Sequence, residues 1–270
     1  MSKATQNTSV RDKLFKGFED RGLIIISAQD MEPLEKLRDT IFTEAKELLG
    51  ADDSDVESFF NNFHKRELSP TALNDFRVAL ISCVNEKVDI GELIFDSVSD
   101  TMTDLYGPDI AMQKSTNIVI HQPGDKNIPP IHRDSPPSSN FETVVWVPLV
   151  HCFKTKGLMV LDRENSIRGT ELLLSDEKDS KSELDKFTDR YGENVDMNFG
   201  QVLIFWGPLL HDVPINMESE TRWSLNLRCK NIFSPYELVE MPEYYRVLKL
   251  SPLSRLAVDL EKERFARDLP

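Results

Sequence analysis

A chain of 270 residues, 40% apolar and 29% charged, is long enough to bury a sizeable core and ordinary enough in composition to fold as a globular protein. Its formal net charge of −14 argues against nucleic acid, an anionic membrane or a polyanionic polymer as the main partner, although a local basic pocket can still hold a phosphate. No apolar run approaches the roughly 20 residues that span a bilayer, the first residues lack the apolar stretch of a signal peptide, and Cys83, Cys152 and Cys229 are too few and too far apart for a disulfide framework or a zinc knuckle, so a reducing cytoplasm is the expected location.

The first 110 residues read mainly as helix. Gly22 to Ile26 is a short strand candidate. Asp30 then precedes a stretch that places Leu34, Leu37, Ile41, Ala45 and Leu48 on one face and closes at Gly50. Ser69 and Pro70 have the chemistry of a helix start, with Ser as cap and Pro in the first turn. Val88 to Tyr106 reads as one more helix, ended by Gly107 and Pro108.

After residue 111 the texture changes. Asn117–His121, Thr143–Val147, Leu158–Leu161, Val202–Phe205 and Trp223–Leu227 are short and rich in β-formers. Pro123–Gly124, Pro129–Pro130, Pro136–Pro137 and Gly207–Pro208 separate them as turns. Many short strands with such turns predict a mainly β core with flanking helices, a sandwich or barrel of which the jelly roll is one form. Gly169 to Tyr191 is charged and polar and reads as an insertion or helix beside that core. From Asn231 the chain looks partly helical. The expected organisation is one integrated domain. Residues 1–110 form a helical region packing on the core, 111–236 the core itself, and 237–270 a C-terminal helical extension. That extension packs against the N-terminal region or against a second subunit, as a homodimer.

The chemistry concentrates in the β-rich part. His132 and Asp134, two apart on an extended strand, point to the same face. His211, delivered by the buried stretch from Gly200 to Trp206 and the turn at Gly207–Pro208, supplies a second imidazole. Two imidazoles and one carboxylate on one side of a metal, with the other side open, is the arrangement of non-haem Fe(II) oxygenases. Arg133, between the two ligands, points away. Eleven residues after His211 comes Arg222, whose planar fork suits a carboxylate, and Ser224 shares its strand face. His121 and His151 compete for the role of third ligand, but neither has an arginine at a suitable distance downstream. His64 reads as a surface or lid residue. His-Arg-Asp is also the catalytic-loop triplet of protein kinases, which requires Asn five residues after the Asp. Here that residue is Ser139, and no Gly-rich loop precedes it.

Four stretches carry a family resemblance: Ile131 to Ser135, Gly157 to Ser166, Phe199 to Trp206, and His211 through Arg222. Over residues 111–236 the chain resembles the Fe(II)/2-oxoglutarate-dependent oxygenases of the phytanoyl-CoA-dioxygenase-like branch. More narrowly, it is similar to the 2-oxoglutarate oxygenases of bacterial surface-carbohydrate clusters. The resemblance implies a double-stranded β-helix, the cupin-like jelly roll, with His132, Asp134 and His211 as iron ligands and catalytic residues. It implies 2-oxoglutarate chelating the iron, Arg222 and Ser224 on its far carboxylate, and O2 as the oxidant. Arg228, six positions further along the same strand face, is the alternative clamp. Gln113, Asn117, Thr143 and Trp146 are candidates for further polar contacts to the cosubstrate. Related halogenases replace the ligand carboxylate with a small residue; this chain keeps Asp134, which favours hydroxylation or a related C–H oxidation. The expected substrate is a small molecule, a sugar-derived intermediate. The alternatives are an acyl-thioester hydroxylase, a cupin-like metal isomerase that needs no Arg222, and a non-catalytic binding protein on the same fold.

Overall fold

The computed structural model describes residues 3–134, 139–238 and 241–268. Helix α1 (Lys3–Arg21) passes through Gly22 into strand β1 (Leu23–Ser27). Gly22 adopts φ 78°, and a Cβ there would collide with the Leu209 side chain, so only glycine fits this junction. Helix α2 (Glu32–Leu49) buries Leu34, Leu37, Ile41 and Ala45 as their spacing predicts, while Leu48 is exposed. It ends at Gly50, in the left-handed conformation that lets the Gly50 N–H close back on Glu47. Short helix α3 (Val56–Asn61) is capped by Asp55. Helix α4 (Pro70–Lys87) begins where the sequence places it: Ser69 Oγ accepts from the Ala72 N–H, with Pro70 in the first turn.

The one helix expected over Val88–Tyr106 is two, α5 (Ile90–Ser97) and α6 (Ser99–Tyr106). Asp89 caps the first by accepting from the Glu92 N–H. At its other end Ser97 Oγ turns back onto the Ile94 carbonyl, and Val98 leaves the helical region with φ −139°. A side-chain hydroxyl that bonds the backbone and a β-branched neighbour both weaken helix continuation.

The strands follow: β2 (Ile110–Gln113), β3 (Asn117–His121), β4 (Glu142–Pro148) and β5 (Met159–Val160). Two helices interrupt them, α7 (Arg163–Leu173) and α8 (Ser180–Tyr191), so the polar stretch from Gly169 starts inside one helix and ends with another. Then come β6 (Glu193–Asn194), β7 (Gln201–Trp206), β8 (His211–Asp212), β9 (Arg222–Asn231), β10 (Tyr245–Lys249) and helix α9 (Pro252–Asp268). The C-terminal stretch, expected as helical, thus also supplies a strand. Its alternation is too short and too charged to announce one.

All pairings are antiparallel. The larger sheet runs β1-β7-β4-β9-β2-β10, and β3 joins it by pairing with the first half of β9. The smaller sheet is β6-β5-β8. The turn expected at Pro136–Pro137 and the end of the motif at Ser135 lie outside the described residues. No helix among the described residues is long and apolar enough to cross a membrane.

Strand β9 organises the molecule because its two faces have different jobs. Trp223, Leu225, Leu227 and Cys229 are fully buried on one face. Trp223 packs against Phe60 and Phe63 at ring distances of 4.8 and 4.9 Å, which ties the N-terminal helices to the sheet. Arg222, Ser224, Asn226 and Arg228 occupy the other face. Trp223→Ala should therefore cost about 3–5 kcal/mol of stability, the range for deleting a fully buried large aromatic. Denaturant unfolding followed by circular dichroism measures it, and a loss below about 1 kcal/mol would mean the aromatic cluster does not anchor the helices.

Candidate active site

His132 and His211 are joined by a reciprocal backbone bridge. The His132 N–H donates to the His211 carbonyl at 3.1 Å, and the His211 N–H donates back at 2.9 Å. His132 is a single bridge position here and not part of a regular strand. The Asp134 N–H donates to the Gly207 carbonyl at 3.0 Å, so the turn after β7 holds both Asp134 and, four residues on, His211. The result gathers one ligand atom from each of His132, Asp134 and His211 within 4.8 Å of one another. Among the described residues this is the one such group.

Hydrogen bonds set the histidine tautomers. His132 Nδ1 lies 2.8 Å from the Pro130 carbonyl and His211 Nδ1 lies 2.9 Å from the Leu209 carbonyl. A carbonyl oxygen only accepts, so each Nδ1 carries the hydrogen and each Nε2 keeps its lone pair for a metal. Burial lowers the His211 pKa to about 4, partly offset by Asp134, which leaves this imidazole neutral near pH 7. Asp134 is oriented in turn: its Oδ1 accepts from Arg228 at 2.8 Å, while Oδ2 faces His211 Nε2 at 3.9 Å. One carboxylate oxygen is held and the other is presented. Two imidazole nitrogens and one carboxylate oxygen suit a first-row divalent metal such as Fe(II).

The triad opens into a cavity of about 570 Å³. Val144 and Trp146 of β4, Leu158 and Phe205 give it apolar walls. Arg222 lies in its wall with only 1% exposure. One of its guanidinium nitrogens donates to the Gly157 carbonyl at 2.7 Å, Nε has no hydrogen-bond partner, and no carboxylate among the described residues pairs with it. Burial lowers its pKa, which marks the charge as poorly solvated. Leu73, Asn74 and Arg77 of α4 and residues of the loop after β3, among them Gln122, Asp125 and Asn127, also line the cavity.

His132, Asp134 and His211 come together and Arg222 lines the same cavity, whereas the other candidate residues divide. Asn117 and Trp146 line the cavity. Ser224 shares the Arg222 face and is fully buried with an unpartnered hydroxyl, but it is not part of the cavity wall. Thr143 is a correction. On β4 it is Val144 and Trp146 that face the cavity, and Thr143 Oγ1 instead bonds the Tyr106 hydroxyl. Gln113 is a second correction: its side chain is spent on the Arg228 N–H and the Ser115 carbonyl, away from the cavity. His64 is half-buried against Thr221, and His151 pairs with Asp196 on the surface. Two functional features escaped the sequence. Arg228 serves Asp134, and His121 lines the cavity.

Neither a protein-family model nor a curated protein sequence matches the chain. Solved structures do match. A non-heme monooxygenase, ThoJ, in its nickel complex, aligns with a TM-score of 0.55 at 14% identity, covering 88% of this chain and 84% of its own. The non-heme α-ketoglutarate-dependent carbocyclase SnoK from nogalamycin biosynthesis aligns at 0.53 and 13% identity, over 86% and 88% of the two chains. The chain shares its fold with these solved non-heme enzymes. The epimerase SnoN, from the same biosynthesis, aligns at 0.50 and 13% identity over 91% and 93%, and has also been solved with Fe3+, α-ketoglutarate and nogalamycin RO. Structures that share this fold thus include a monooxygenase, a carbocyclase and an epimerase, so the reaction of any one rests on its own site.

Proposed function

We propose that this chain is an Fe(II)- and 2-oxoglutarate-dependent oxygenase of small molecules, built on a double-stranded β-helix. The observation that carries the reading is the conjunction in one cavity of the His132, Asp134 and His211 group with Arg222, a buried cation that has no acidic partner among the described residues. A cupin-like isomerase needs no such cation, and the complete group of three ligands argues against a plain binding protein. Iron and the keto acid, when bound, supply the oxidising power by coupling decarboxylation to succinate and CO2 with O2-dependent oxidation of a substrate C–H bond.

The chain's own residues do the rest. His132 and His211 present Nε2 lone pairs, and Asp134 presents one oxygen while Arg228 holds the other. Arg222 pairs with the distal carboxylate of 2-oxoglutarate. Val144, Trp146, Leu158 and Phe205 exclude water and strengthen that pairing. We further propose a sugar-derived substrate, free or nucleotide-linked. Polar lining residues support this: Asn74, Arg77, Gln122 and Asn127 can hydrogen-bond sugar hydroxyls. The outcome at carbon is hydroxylation or, as the carbocyclase SnoK and the epimerase SnoN suggest, ring closure or epimerisation.

The test is anaerobic reconstitution with Fe(II) followed by succinate release under O2 against a panel of sugars, nucleotide sugars and acyl-thioesters. Succinate production stimulated by a sugar-derived compound is expected. Stimulation by an acyl-thioester alone would overturn the substrate assignment, and metal-dependent turnover without 2-oxoglutarate would overturn the reaction class.

A further inference from the structure

His121 sits in the cavity wall with 3% exposure, and neither of its ring nitrogens has a hydrogen-bond partner among the described residues. Buried imidazoles are ordinarily paired, because a buried donor left unmade forfeits the bonds it had with water. Strand β3 explains the placement. Its Asn117, Val119 and His121 line the cavity, as does Ile120 in part, while Ile118 is fully buried away from it. In the antiparallel register His121 stands directly opposite Arg222. Residues opposite each other across a pair of strands put their side chains side by side on one face. Two deeply buried polar groups, a guanidinium with an unpartnered Nε and an imidazole with two unpartnered nitrogens, therefore border the same part of the cavity.

Burial, aided by the Arg222 charge, lowers the His121 pKa to about 4. Asp125 pulls weakly the other way through its charge and its backbone, short of a hydrogen bond to either nitrogen. The imidazole is thus neutral near pH 7 and offers one N–H. It adds a donor beside Arg222 without adding a second buried charge. A carboxylate has two oxygens and accepts from both neighbours at once.

We infer that His121 determines cosubstrate specificity: its N–H donates to the same distal carboxylate that Arg222 pairs with, so that the subsite selects a dicarboxylate keto acid over a monocarboxylate one. This rests on the 2-oxoglutarate reading. It also separates His121 from the metal ligands, whose group does not include it.

The experiment uses the full chain with Fe(II) under anaerobic conditions and follows the visible band that forms when a keto acid chelates the iron. Two keto acids are titrated: 2-oxoglutarate, and 2-oxopentanoate, which has a methyl group in place of the distal carboxylate. His121→Phe should raise the apparent Kd for 2-oxoglutarate by about tenfold or more, as for a lost hydrogen bond to a charged group. It should leave the Kd for 2-oxopentanoate within about twofold, since that acid makes no such bond. His121→Gln keeps a donor and should recover most of the 2-oxoglutarate affinity, and it serves also if the Phe variant folds poorly. Equal weakening of both acids, or no change for 2-oxoglutarate, would overturn the inference. Wild-type protein that forms no band with either acid would overturn the 2-oxoglutarate reading together with this one.

Discussion

His132→Ala, Asp134→Ala and His211→Ala should each lose tight Fe(II) binding and bring succinate release down to background. The geometry leaves little room for rescue. The three ligand atoms lie within 4.8 Å of one another, and no further His, Cys, Asp or Glu among the described residues completes the group. Even an outer partner of a metal ligand is worth about 10–100-fold in metal affinity, so a ligand itself should cost more than about 100-fold. His211→Ala should be the cleanest of the three. Its backbone bridge to His132 does not depend on the side chain, so the cavity keeps its shape while the ligand disappears. Anaerobic Fe(II) titration in the presence of 2-oxoglutarate reads the loss directly as the missing visible band. Full turnover in any one variant would remove that residue from the metal site.

Arg222→Ala should have the next largest effect, and of a different kind. Iron stays, but 2-oxoglutarate binds more weakly by about 2–5 kcal/mol, the cost of deleting one partner of a buried charge pair. That corresponds to roughly 30-fold to several thousand-fold in Kd. Arg222→Lys should rescue only partly, because an ammonium restores the charge but not the fork. Arg228→Ala should behave oppositely. Arg228 is already engaged with Asp134 Oδ1, so its removal loosens a metal ligand and appears first as weaker iron binding, within about 10–100-fold. Should Arg228→Ala produce the large cosubstrate defect while Arg222→Ala leaves 2-oxoglutarate affinity intact, the two roles would have to be exchanged.

The contrast between these two arginines shows what the sequence could convey. Both lie on one face of β9 by simple parity, and parity correctly separates them from Trp223 and Leu225. What parity leaves open is which one finds an acid, since Asp134 comes from a segment nearly a hundred residues earlier. The triad was legible for the opposite reason: two ligands lie two positions apart, and the third follows a buried strand and a Gly-Pro turn. Thr143 and Gln113 misled because a strand presents two faces, and the sequence does not say which one looks into the cavity. His121 carried a readable signal, sharing a strand face with Asn117 and Val119, but the sequence does not say that it stands opposite Arg222, which comes from a distant strand. Strands β5, β6 and β8 are two residues each, too short for any pattern to mark as separate elements.

Strand β1 has a consequence for anyone who would cut this protein down. Its five residues pair in unbroken register with Gln201–Phe205 of β7, the strand that leads to His211. A fragment starting at residue 111 keeps every candidate ligand yet strips that cover, leaving a hydrophobic run from Val202 to Phe205 with its backbone donors and acceptors bare along one side. Such an edge recruits other chains. The half that carries the candidate ligands is therefore not a portable module, and a minimal version or a graft onto another scaffold must carry residues 23–27 with it, or an equivalent strand, to stay monodisperse.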